Sequence, residues 1–74
     1  MLTTLDSVKP GARVVIERVD GRGWVSRLYS MGLLPGAQLE VIFNDGRGPV
    51  VVKLGDVEVS IGRGIARRIL VKVI

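Results

Sequence analysis

No cysteine and no histidine occur among these 74 residues. Without cysteine there is no disulfide and no thiolate metal site to supplement a small core, and the absence fits a reducing cytoplasm. Without histidine the usual general base near neutral pH is missing. With neither residue, a tight iron or zinc site lacks its favoured nitrogen and sulfur donors. Aromatic residues are scarce as well: one Trp, one Tyr and one Phe. That weakens a base-stacking platform for nucleic acid, and it weakens further a groove for proline-rich peptides. No uncharged apolar run approaches the roughly 18 residues needed to cross a bilayer. The opening Met1-Leu2-Thr3-Thr4-Leu5-Asp6 is too polar and too short for a signal peptide. The chain reads as soluble and complete.

What is present is a short, glycine-rich and mildly basic chain. Its length makes one domain, residues 1–74, and a chain this short buries only about 60% of its unfolded surface. Eleven basic residues against seven acidic ones leave a net charge of +4. The excess raises the case for an anionic partner, but the basic residues are scattered and no run exceeds Arg67-Arg68. A solvated, mildly basic surface is the expectation, with no nucleic acid bound; a nucleic-acid-binding small barrel is the alternative.

Turn chemistry organises the rest. Thr4 to Val8 suits one helical turn, and Pro10-Gly11 then leads into a strand from Ala12 to Val19. Val14 and Ile16 share a face by period 2, and Val19 breaks that register, which points to a bulge or to the end of the strand. Trp24, Leu28 and Met31 recur at helical spacing, predicting a helix over 24–31. Gly32 is placed to end that helix in the left-handed region, with Leu33 folding back on Leu28. Leu34-Pro35-Gly36 fits a type II turn. Pro35-Gly36-Ala37-x-Leu39-x-Val41 repeats Pro10-Gly11-Ala12-x-Val14-x-Ile16, which we read as shared turn chemistry, because the flanks do not match. Further strands are predicted over 39–43, 50–54, 57–61 and 69–74, the third of these alternating apolar-in and polar-out, with a 3-10 turn over 62–66. The expectation is an all-β fold, a small barrel of about five strands with one short helix between the first two. Closure of the barrel would hide the strand edges.

Candidate chemistry is sparse. Asp56 and Glu58 share a strand face and could in principle hold a metal or move a proton, but such a pair is more often the wet face of a sheet. Gly-Arg-Gly occurs at 21–23, 46–48 and 62–64. Each could form a backbone nest for an anion; the plainer reading is a turn that needs φ > 0, with an exposed arginine. None carries the Gly-Lys-Ser/Thr ending of a P-loop. No catalytic residue, metal ligand or cofactor site is assigned. The stronger candidate is the sharply turned segment from Arg27 to Leu34. If Leu28 and Leu33 pack together, some of Tyr29, Met31 and Leu34 should lie near the surface, and an apolar patch rimmed by Arg27 is what a protein-docking site looks like. The plain alternative is that these side chains plug one end of the barrel.

Across nearly its whole length the chain resembles the FeoA family. The resemblance rests on Thr4-Leu5, on Pro10-Gly11, and on the phrase Arg27-Leu28-x-x-Met31-Gly32-Leu33-x-Pro35-Gly36, with Gly48-Pro49 and Arg68-Ile69-x-Val71 following. It implies an SH3-like β-barrel in the bacterial cytoplasm, not an enzyme, that assists FeoB, the membrane transporter of Fe²⁺ with a GTPase domain. On this reading Arg27, Leu28, Tyr29, Met31, Leu33 and Leu34 form the surface that docks on the cytosolic part of the transporter, with no insertion into the membrane. Self-association through strand edges or the hook is a further option, and an SH3-type peptide-binding module is the weakest alternative. One departure stands out: where the family often has an arginine followed by Glu-Ala, Arg63-Gly64-Ile65-Ala66 keeps the alanine and loses the acid.

Overall fold

Period-2 alternation places Val14 and Ile16, Leu39 and Val41, Val50 and Val52, and Ile69 and Val71 on inward faces, and all eight are buried. The computed structural model describes residues 1–21 and 23–74. Strands β1 (Leu2–Thr4), β2 (Arg13–Val19), β3 (Gln38–Phe43), β4 (Val50–Leu54), β5 (Val57–Ile61) and β6 (Ile69–Val73) form one sheet in the order β1-β6-β2-β3-β4-β5. Every neighbouring pair is antiparallel. A 3-10 turn, Leu5–Ser7, follows β1; helix α1, Val25–Ser30, lies between β2 and β3; and a four-residue helix, α2 (Arg63–Ala66), precedes β6. The inward faces close on one core that also takes in Leu5, Leu28, Leu33 and Ala66.

Several expectations are corrected here. The sheet has six strands rather than five, because Leu2–Thr4 pairs with Leu70 to Lys72. Three residues, two of them threonines, carry too little alternation to be read as a strand. Residues 63–66 are α-helical rather than 3-10, and α1 is shorter than expected, with Trp24 and Met31 as its caps. In β5 the alternation fails at its start: Val57 is 60% exposed, since among the described residues no strand lies beyond β5 to cover it. The hydrogen-bonded ladder does not close, and β1 and β5 remain the ends of the sheet.

Of the two readings of the register break at Val19, a bulge or the end of the strand, the bulge is present. The β2–β6 register shifts between Ile16 and Arg18, so Glu17 is the extra residue and Val19 returns to the interior. A second shift, between Val41 and Phe43, leaves Ile42 and Phe43 outside.

The repeated Pro-Gly-Ala phrases have a shared structural role. Gly11 and Gly36 both have φ of +93°, and the amides of Ala12 and Ala37 donate to Lys9 and Leu34 carbonyls, as in type II turns. Each turn then docks on the other's strand. Gly11 N–H donates to Val41 O (2.8 Å) and Gly36 N–H to Ile16 O (2.8 Å), while Val41 N–H donates to Ala12 O and Ile16 N–H to Ala37 O. The 25-residue repeat is therefore a local two-fold ribbon about the Val14–Leu39 pair. It sets the position of the segment between α1 and β3.

Candidate functional site

That segment is a hook built from short-range bonds. At the end of α1, Gly32 N–H donates to Tyr29 O (3.0 Å) and Leu33 N–H to Leu28 O (2.9 Å), the two bonds of a Schellman ending. Gly32 has φ of +89°, a backbone conformation that favours glycine, and it lies close to the Leu54 side chain of β4. Ser30 Oγ donates back to Arg27 O (2.8 Å). The type II turn at Leu34–Ala37 then delivers the chain to β3.

The six residues expected to dock divide into two groups. Leu28 and Leu33 are buried, Leu33 completely. They are not presented to a partner, and the expectation that they form part of a contact surface is corrected on that point. Their burial is the contact a Schellman ending makes between its third-last and second-following residues. Arg27, Tyr29, Met31 and Leu34 are exposed. The sharp turn at Gly32 sends Met31 out and Leu33 in. Val57, on the edge strand β5, is exposed as well, directly opposite Leu54 across the β4–β5 pair. Sequence reading missed Val57, because alternation assigned it to the core.

Trp24 caps the start of α1, half-buried, with its ring over Gly21, where a Cβ would meet ring carbons at 2.2 Å. Its Nε1 has no hydrogen-bond partner among the described residues.

The Gly-Arg-Gly segments are not alike. The first contains Arg22, which lies outside the described residues. In the second, Asp45 Oδ1 accepts from the amides of Arg47 and Gly48, both at 2.9 Å, so the chain's own carboxylate fills the nest. Those two bonds, Gly48 first, hold the Asp45 pKa below its ordinary 3.8, with Arg63 adding to the effect. The third was expected to expose its arginine, and this is corrected. Arg63 is half-buried, donating to Gly48 O (3.0 Å), Asp6 O (3.1 Å) and Asn44 Oδ1. Asn44 Nδ2 in turn donates to Asp6 O (3.0 Å) and Val8 O (2.8 Å). This polar knot ties the 3-10 turn, the β3–β4 loop and α2 together, which gives Arg63 a structural role without the missing acid.

Asp56 and Glu58 are both exposed, and Glu58 lies opposite Lys53. Among the described residues no three His, Cys, Asp or Glu side chains converge as a metal site. A polar cleft of about 190 Å³ lies on the outer face between Arg13, Gln38, Glu40, Lys53 and Gly55. Arg13, Glu40 and Lys53 occupy directly opposed positions on three successive strands.

The fold and the hook together define a class, a small SH3-like β-barrel whose exposed apolar feature sits on a turned helix rather than on the sheet. The FeoA domain model matches residues 3–73, and the chain belongs to the FeoA family. A Methanocaldococcus jannaschii protein provisionally named Fe(2+) transport protein A is 40% identical over 65 residues, spanning 86% of this chain and 78% of that protein. The crystal structure of an iron uptake regulatory protein, FeoA, superposes with a TM-score of 0.91 at 31% identity, covering 100% of this chain and 99% of that one. The zinc-complexed FeoA of Stenotrophomonas maltophilia, described as an SH3 domain protein, shares the fold with a TM-score of 0.81 at 21% identity, covering 95% and 89%.

Proposed function

We propose that this chain is a non-catalytic accessory of ferrous-iron uptake that works in the cytoplasm and docks on the cytosolic part of an FeoB-type membrane GTPase. Family membership supports the iron-transport setting. The observation that carries the docking is the exposed side of the hook: Tyr29, Met31 and Leu34 stand in solvent beside Arg27, on a backbone held by the Schellman ending and the type II turn. A preformed apolar contact of this kind loses little conformational entropy on binding, and a Tyr with a neighbouring Arg is the composition enriched at binding hot spots. Fe²⁺ is the transporter's cargo, and the barrel acts by contact rather than by holding the ion. Among the described residues no helix is long and apolar enough to cross a membrane.

The test is Met31→Glu, which adds a charge at a side chain that is 44% exposed. The variant is expected to fold as wild type, to lose tenfold or more in affinity for the soluble domain of the transporter, and to fail to support uptake. Trp24, the sole tryptophan, lies at the start of α1 and serves as the fluorescence reporter of binding. A folded Met31→Glu protein that bound and supported uptake normally would sink the docking assignment. Leu33→Glu is no substitute, because Leu33 is enclosed.

A further inference from the structure

The two ends of the sheet are not equivalent. β1 has three residues, whereas β5 has five and runs without a register shift against β4. Among the described residues, β4 is the only strand β5 pairs with. Natural edge strands are usually blunted by proline, lysine, an inward charge or a bulge. β5, Val57-Glu58-Val59-Ser60-Ile61, has none of these: its one charge, Glu58, points outward opposite Lys53, and its inward-facing Val57 is 60% exposed. An unblunted edge of this kind is a template for another strand.

The residues of β5 also specify which strand. When two copies of one edge join antiparallel in a continuous sheet, the two-fold axis is perpendicular to the sheet. The pleat then requires opposed residues to share a face, so only registers centred on a residue are allowed. Centring on Glu58 sets like charges directly against each other. Centring on Ser60 or on Val57 leaves much of the strand unpaired. Centring on Val59 overlaps all five residues, pairs Val57 with Ile61 of the second copy, sets Val59 against itself, and opposes each Glu58 with a serine.

We propose that β5 is a self-association edge, and that two copies of this chain pair antiparallel about Val59. The pairing adds backbone hydrogen bonds along β5 and covers Val57. It uses the sheet edge rather than the hook tip, so it stands independently of the docking reading.

Ser60 tests the register, because it is exposed on the outer face and tolerates either charge without touching the core. In the proposed pairing Ser60→Glu faces Glu58 of the other copy twice per dimer, while Ser60→Lys faces it with opposite charge twice. Sedimentation equilibrium of the full chain over rising concentration is expected to show monomer and dimer. Ser60→Glu should weaken the association constant about tenfold and Ser60→Lys strengthen it by a similar factor. Met31→Glu should leave it unchanged, and amide exchange in β5 should slow as concentration rises. A monomer mass up to millimolar concentration would overturn the proposal. So would Ser60→Glu and Ser60→Lys shifting association in the same direction, or Met31→Glu abolishing it.

Discussion

Met31 and Leu33 flank one glycine, yet Met31 stands 44% exposed and Leu33 is wholly enclosed. Their substitutions should therefore part company. Leu33→Ala removes buried methyl groups and leaves a cavity, a loss of about 3 kcal/mol, which is severe for a domain of this size. Met31→Ala should change stability by less than about 0.5 kcal/mol. Urea unfolding followed through Trp24 measures both, and equal losses would mean that the turn at Gly32 does not divide the hook as described. The division was half legible. Gly32 after a helical repeat announces the Schellman bonds, because helix endings are local. That Leu33 is enclosed depends on the barrel core it enters, whose strands are remote along the chain and only the fold brings near.

Among the elements, the β3–β4 loop is a carboxylate-capped turn with a pH dependence of defined sign. Asp45 is held ionised by the Gly48 and Arg47 amides, and its folded pKa lies below 3.8. The unfolded chain therefore binds the proton more readily. The contribution of Asp45 to stability is fully present above its ordinary value and is lost as pH falls through the folded one. Asp45 is exposed, so the effect is small and screened by salt. Protection of the Arg47 and Gly48 amides, relative to their intrinsic exchange, should fall as pH drops through the lowered folded pKa of Asp45. Asp45→Asn should exchange at a rate that no longer tracks that titration, whereas an unaltered acid response in the variant would place its origin elsewhere. Asp-Gly was readable as a turn signal, and an anion nest at Gly46-Arg47-Gly48 was weighed. Residue order alone did not show that Asp45 itself occupies the nest, because the side chain's direction depends on the loop's full path.

For the whole molecule, the sheet supplies the frame, and a few long-range polar bonds close its lower end. Asn44 reaches Asp6 and Val8, 38 and 36 residues away in sequence, and offers its oxygen to Arg63. Asn44→Ala should lower stability by about 2 kcal/mol, since carbonyls and a guanidinium lose partners in a half-buried place. Thermal unfolding checks this, and a loss no larger than that of an exposed substitution would show the knot to be incidental. Local chemistry was enough to place the turns, five of the six strands to within a residue at either end, α1 within a residue or two, the register break at Val19 and the membership of most of the core. Each of these follows from side-chain period or from the backbone freedom of a glycine or proline a few residues away. Packing at a distance was needed for β1, for the exposure of Val57, for the inward place of Leu33 and for the burial of Arg63. In each of those cases the deciding neighbour is remote along the chain, and whether a side chain meets protein or water is settled only once the strands have found their partners.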